Sequence, residues 1–302
     1  MLQEVFYWVF NMSITAAITG VLVMLVRLVK RIPRRFTVLL WFVPFFRMTI
    51  PLGLNSPYSL LSLLSRMTTK TIVIYQPTEK ASFSMTNFVM AADGYFPITY
   101  KADLLEDIFG VASVIWMVVF LAITLMLAVS YFTTPSEIKE AKHLRDNLYL
   151  SDKIRSPAVY GVIKPKILLP PSYEDKDMVL LHENMHIRRA DNLWRMLAVL
   201  VVAVHWFNPL CWVFLKLFLT DMELSCDECV LAKLGHARAK EYALSLLESR
   251  ESANVFVSAF GGAKMRTRIE NILSFKKMTR LSLFVFLAWL FVVFYVLLTN
   301  AG

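Results

Sequence analysis

Cysteine is nearly absent from this chain. Of 302 residues only Cys211, Cys226 and Cys229 are cysteine, and the segments assigned below to the outside of a membrane hold none, which excludes a disulfide framework. Charge is sparse as well: Asp, Glu, Lys and Arg make up 18% of residues against 57% hydrophobic ones. With a mean hydropathy of +0.54, this composition excludes an ordinary soluble globular domain. The opening "MLQEVFYWVFNM" has neither a basic leader nor a small-residue cleavage site, so it reads as a retained first span and not as a signal peptide. No repeat or low-complexity tract is present. The net charge of +9 comes from Lys and Arg that flank apolar runs and do not interleave with aromatics on a polar face. That pattern excludes direct nucleic-acid binding and matches the orientation bias of a protein in a lipid bilayer.

What is present is a series of apolar runs separated by loops of unequal charge. Phe6–Val29 is broken only by Arg27 and is long enough to cross a core of about 30 Å at about 1.5 Å per residue. The next six residues, "KRIPRR", hold four basic ones and mark the cytoplasmic face, which puts the N-terminus outside. Phe36–Leu54 is a weaker second span containing Pro44, Arg47 and Pro51. Arg47 is either functional or, the simpler reading, paired within the bundle or reaching a head group. Residues 55–107 carry four basic and five acidic residues and read as an extracellular loop. Ile108–Phe132, 25 residues without a charge, returns the chain to the cytoplasm. Residues 133–280 hold 22 of the 32 basic residues and form one cytoplasmic domain, and Leu281–Leu298 is the last span. The expected layout is therefore spans one and two in 1–54, a loop in 55–107, span three in 108–132, the domain in 133–280 and span four in 281–299, with both termini outside.

The chemistry lies in "VLLHENMHIRRADNLW", residues 179–194. Histidines at i and i+4 of a helix project from one face a turn apart, so His182 and His186 can grip one zinc ion, with Glu183 beside it to take a proton from the attacking water. Two surface histidines on an amphipathic helix are the bland alternative. A catalytic zinc needs a third protein ligand. "TDMELSCDECVL" offers Glu223, Asp227 and Glu228 on a second helix; we assign Glu223 as ligand and Asp227 as a carboxylate that orients a histidine, with Asp191 in a similar supporting role. Cys226 and Cys229 form a CxxC, whose rival readings as redox motif or thiolate zinc site lack the βαβ context and the further ligands they require.

Between the two ligand helices lies a largely apolar stretch of 28 residues, 193–220. A single crossing would leave Glu223 on the far side of the bilayer from His182. "HWFNPL" supplies a break, and Leu193–Phe207 reaches only about 22 Å, so the segment is expected to be a re-entrant helical hairpin. His205 near its tip is a candidate electrophile or a polar anchor. Upstream, "SPAVYGVIKPKILLPPSY" reads as a β-hairpin whose last strand, "KILLP", is an expected sheet edge able to take an extended substrate.

Taken in order and spacing, "SPAVYGVIKPKILLP", "HENMHIRRAD", "HWFNPLCW" and "DMELSCDECVL" resemble the transmembrane zinc metallopeptidases of the β-lactam-sensing antirepressor family, which control penicillinase and methicillin-resistance operons. The resemblance covers essentially the whole chain. It implies a predominantly α-helical integral membrane protein, with four transmembrane helices and a cytoplasmic gluzincin-like zinc metallopeptidase domain that carries a small β-hairpin or sheet and the re-entrant hairpin. It implies His182, His186 and Glu223 as zinc ligands, Glu183 as general base and Asp227 as the acid after the ligand glutamate. Cys229 stands where a basic residue is more usual. Sensors of this type continue after the fourth span into an extracellular penicillin-binding domain, whereas this sequence stops at Gly302. It is expected to be a short form, natural or truncated, and "SRMTTK" has the wrong spacing for an acylatable SxxK serine.

The function expected is a membrane-embedded zinc endopeptidase in transmembrane signalling that cleaves a cytoplasmic protein, a DNA-binding repressor by the resemblance. A non-catalytic receptor or scaffold and a general quality-control peptidase are the alternatives. A homodimer and a separate sensor protein are candidate partners. The polar "RTRIENILSFKKMTR" before the last span is either a lipid-bound amphipathic linker or a self-cleavage segment with its cut at Ser274–Phe275.

Overall fold

The computed structural model describes residues 1–29, 32–50, 55–60, 62, 104–133, 141–154, 156–171, 177–248, 263–275 and 280–301. Most of the loop expected at 55–107, including all of "SRMTTK", lies outside the described residues. The elements in chain order are α1 (Leu2–Arg27), α2 (Arg34–Thr49), β1 (Asn55–Ser56), α3 (Leu104–Thr133), β2 (Lys142–Arg145), β3 (Leu148–Leu150), β4 (Ala158–Tyr160), β5 (Lys166–Leu169), α4 (Asp177–Arg188), α5 (Asp191–Val204) and α6 (Pro209–Leu234). A 3₁₀ turn at His236–Arg238 leads to α7 (Ala239–Glu248), α8 (Met265–Ser274), α9 (Arg280–Leu298) and β6 (Asn300–Ala301). Among the described residues the protein is mostly helical, with a four-stranded mixed sheet and a short β1–β6 pairing. Among the described residues two helices, Leu2–Arg27 and Ile108–Tyr131, are long and apolar enough to cross a bilayer, and Leu283–Leu298 is apolar but shorter.

α1 is apolar along its length, but its inward face carries Asn11, Thr15 and Thr19. Each satisfies itself by donating to a carbonyl three or four residues back, so no polar group is stranded. Gly20 lets the ring of Phe214 from α6 approach so closely that a Cβ would sit 2.2 Å from it. α2 tolerates Pro44 inside the helix. The Arg47 question is answered by its partners: Nε donates to Leu297 O at 3.0 Å and Nη2 to Thr299 O at 2.6 Å, tying the end of α2 to the end of α9.

The expected hairpin is present as a pair of helices. α5 ends at Val204, Asn208 caps α6 by accepting from Leu210 N, and Pro209 fills the first helical position, where its missing N–H costs nothing. The tip is held at three points: Asn208 Nδ2 donates to Ser13 Oγ at 2.8 Å, Trp116 Nε1 to Val204 O at 2.8 Å, and His205 Nε2 lies 2.9 Å from Met48 O. Midway along α6, the buried Asp221 accepts from Arg27 Nε at 2.9 Å and Trp41 Nε1 at 2.9 Å. About two turns further on, Glu228 accepts from the backbone N–H groups of Arg34 and Arg35, capping α2. α6 is thus clamped to the first two helices on both sides of Glu223.

The sheet order is β2-β3-β5-β4, with β3 and β5 parallel and the outer pairs antiparallel. The β4–β5 hairpin forms as expected, turning at Gly161 with φ +90. The expectation that "KILLP" forms an edge is overturned, because Lys166–Leu169 is an interior strand. Its Ile167, Leu168 and Leu169 are all buried, and a run without alternation belongs between two neighbours, not at a rim. The edge on that side is β4. Its Val159 and Gly161 carbonyls accept from Asn192 Nδ2 at 3.0 and 3.1 Å, which ties the strand to the start of α5.

Candidate metal centre

α4 lays Val179 and Leu180 on the sheet core and presents His182 and His186 toward Glu223 and Asp227 of α6. The helix then breaks sharply. Ala190 adopts the left-handed conformation at φ 54, and the chain turns so that Asp191 folds back on the histidine five residues before it.

The two rings meet edge to face with Nε2 atoms 3.1 Å apart. Their Nδ1 atoms are already committed. His186 Nδ1 lies 2.6 Å from Asp191 Oδ2, a carboxylate that can only accept, so Nδ1 carries the proton. His182 Nδ1 lies 2.8 Å from the Tyr242 hydroxyl, which itself donates to Asp227 Oδ1 at 2.7 Å and so accepts from the imidazole. Both Nε2 atoms therefore converge at 3.1 Å beside Arg268 Nη2, 3.3 Å from His182 Nε2; a proton on one ring bridges the pair, and with both rings neutral the two lone pairs are left for a cation. Glu223 lies alongside the pair. Its Oε1 pairs with Arg195 and its Oε2 is 3.6 Å from His186 Nε2 and 3.8 Å from His182 Nε2. Two imidazoles and a carboxylate fit a divalent metal ion by donor chemistry alone.

The electrostatics of the donor set agree. Burial by itself would lower His182, but Cys226 and Glu223 outweigh it and raise its pKa to about 9; His186 is raised for the same reasons. Burial would raise Glu223, yet His186 and Arg195 hold it well below the ordinary carboxylate range. Protons on the imidazoles stand where a metal would otherwise balance the anions. Burial likewise opposes ionisation of the Cys226 thiol, while the two histidines draw it down to about 7.

Glu183 is buried beside His182 and has no hydrogen bond or ion pair among the described residues. Asp227 is fully buried and accepts two bonds from Arg268 of α8, at 2.8 and 2.9 Å, besides that from Tyr242. His205 is not brought to this group; it anchors the hairpin tip on Met48. Glu228 is likewise elsewhere, at the start of α2. Ser274 is exposed, while Phe275 is buried in the cluster of Met178, Met185, Cys226 and Tyr242 that backs the histidines. Of the CxxC pair only Cys226 faces the rings, its sulfur near both histidines; Cys229 is not part of that group. Sequence reasoning did not single out Tyr242, Arg195 and Arg268, because nothing in "AKEYALSLLE" or in an arginine among apolar residues marks a metal-site partner. Their roles exist only once the helices cross.

A helix carrying His-Glu-x-x-His, a carboxylate from the second helix after it, a small mixed sheet alongside and long apolar helices around them define a membrane metallopeptidase. More narrowly, the chain belongs to the BlaR1 peptidase M56 family, whose pattern it matches over residues 7–274. It is 35% identical over 146 residues to the regulatory protein BlaR1 of Bacillus licheniformis, covering 44% of this chain and 24% of that protein. It is 29% identical over 152 residues to the methicillin resistance mecR1 protein of Staphylococcus aureus, covering 46% of this chain and 26% of that one. The matches thus span about a quarter of the length of these relatives.

Proposed function

We propose that the chain is a membrane-embedded zinc endopeptidase that relays a signal by cleaving a cytoplasmic protein. The names of its relatives, which speak of regulation and of methicillin resistance, favour a DNA-binding repressor as that substrate. One observation carries the reading: the two Nε2 atoms converge at 3.1 Å, with a carboxylate oxygen of Glu223 3.6–3.8 Å from both and Glu183 next to the first in sequence. His182, His186 and Glu223 would hold the ion. Zinc in such a donor set supplies Lewis acidity that activates water and polarises a peptide carbonyl.

The chain's own groups do the rest. Glu183 takes the proton of the attacking water as the C–O bond forms and delivers it to the departing amide nitrogen as the C–N bond breaks. Asp191 fixes the His186 ring, and Asp227 fixes His182 through Tyr242. The scaffold alternative has no use for a buried Glu183 in this place. A broad quality-control peptidase would share the chemistry and differ only in substrates.

The layout we propose is four spans, α1, α2, α3 and α9, with both termini extracellular, the metal site cytoplasmic and α5–α6 re-entrant. The bonds between the ends of α2 and α9, and the β1–β6 pairing beyond them, favour a common outer face for these ends. The clamp of Arg27 and Asp221 beside Glu223 favours an inner face at the metal site. Self-cleavage at Ser274–Phe275 is the second reaction proposed, supported by the position of α8, whose Arg268 lies 3.3 Å from His182 Nε2. A homodimer or a separate sensor protein would complete the signalling unit. Incubating the detergent-purified chain with a candidate repressor, with and without a chelator, tests the reading; chelator-sensitive cleavage supports it, and an intact repressor under every condition counts against it.

A further inference from the structure

The metal-facing group contains one side chain for which the peptidase reading has no use, Cys226. It is fully buried and stands one helical turn after Glu223 on α6, so the two side chains project from the same face. Its sulfur lies within 4.8 Å of a ring nitrogen of both His182 and His186. A thiol placed only to fill the core would need none of this convergence, and Cys229, the other half of the CxxC, supplies the contrast: it is partly exposed and stands outside the group.

We infer that Cys226 is a fourth protein donor to the metal, as thiolate, and that its coordination closes the site in the resting protein. The inference rests on the metallopeptidase reading above. Its chemical basis is the difference between closed and open zinc sites. Four protein donors, two nitrogens, one oxygen and one sulfur, satisfy a tetrahedral ion completely, whereas a catalytic site keeps the fourth position open. His182, His186 and Glu223 alone leave that position open. With Cys226 they do not, and the peptidase stays silent until the metal–sulfur bond breaks and the freed thiolate takes up a proton from solvent. No oxidant or reductant enters this exchange. Because α6 is clamped to α1 and α2 through Asp221 and Glu228, a shift of those helices would bear directly on whether sulfur and carboxylate can both reach the ion.

X-ray absorption at the zinc edge on detergent-purified full chain decides the matter, with Cys226→Ser and Cys229→Ser alongside. Wild type and Cys229→Ser should show a sulfur scatterer at about 2.3 Å besides nitrogen and oxygen at about 2.0–2.1 Å, and Cys226→Ser should lose the sulfur. Cys226→Ser should also show a higher basal cleavage rate than wild type. Stoichiometric zinc with only nitrogen and oxygen neighbours in wild type would overturn the inference and leave the peptidase reading standing. No bound metal in wild type would overturn both. Sulfur present, but turnover unchanged or lower in Cys226→Ser, would overturn the closure.

Discussion

Replacing Tyr242 by phenylalanine should weaken zinc binding without unfolding the domain. The ring is fully buried, and phenylalanine fills the same volume, so packing is preserved. What is lost is the hydroxyl that accepts from His182 Nδ1 at 2.8 Å and donates to Asp227 Oδ1 at 2.7 Å. Leaving a buried polar group without its partner costs about 1–3 kcal/mol, and loss of a group that orients a metal-ligating histidine typically costs about 10–100-fold in affinity. Two features favour the lower end. Asp227 keeps both bonds to Arg268, and its Oδ1 already lies 3.4 Å from His182 Nδ1, close enough for a small shift to restore a direct bond. We therefore expect a loss of about 10-fold in Tyr242→Phe and a larger one in Asp227→Ala, which removes the second group as well. Competition with a chromophoric chelator measures both, with circular dichroism as the check on folding. Affinity in Tyr242→Phe equal to wild type would refute the relay from Asp227 through Tyr242 to His182.

Glu223→Ala should abolish tight zinc binding, whereas Glu228→Ala should leave it intact and lower stability by about 0.5–2 kcal/mol through loss of the α2 cap; equal zinc loss in both would mean the wrong carboxylate is assigned. Zinc uptake at pH 7 should release protons, because His182, raised from 6.5 to about 9, is protonated there and must lose that proton to bind. By the same shift, the contribution of His182 to metal-free stability is full below pH 6.5 and disappears as pH rises through about 9, so metal-free protein should melt lower at pH 9.5 than at pH 6.5. Calorimetry in buffers of different ionisation enthalpy checks the release, and none at pH 7 would contradict it. Wild-type protein should accumulate a C-terminal fragment beginning at Phe275 that Glu183→Gln does not; N-terminal sequencing reads this, and an identical pattern in both would assign the cut to another protease.

The parts of this site that were legible in the sequence are those set by local periodicity. The i, i+4 spacing puts His182 and His186 on one helical face whatever surrounds them, and Asn208–Pro209 ends one helix and starts the next by backbone chemistry alone. The need for Glu223 to return to the side of His182 made the hairpin legible as well. Groups whose partners are chosen by helix crossing were not: Tyr242, Arg195 and Arg268 reach the site from three different elements. The strand order was missed for a related reason, since "KILLP" reads alike as an edge or as an interior strand until β3 is known to pair with its far side. Arg47 and Arg27 were visible as charges in apolar runs, but a sequence cannot say that one ties helix ends together while the other grips Asp221.

The central claim is that Glu183 moves protons at a metal held by its neighbours. Glu183→Gln, purified beside wild type, should retain zinc at one ion per chain and lose about 10²–10⁴-fold of repressor cleavage, because an amide cannot accept the proton that a carboxylate takes. Full zinc with unchanged turnover would remove Glu183 from the reaction and contradict the account.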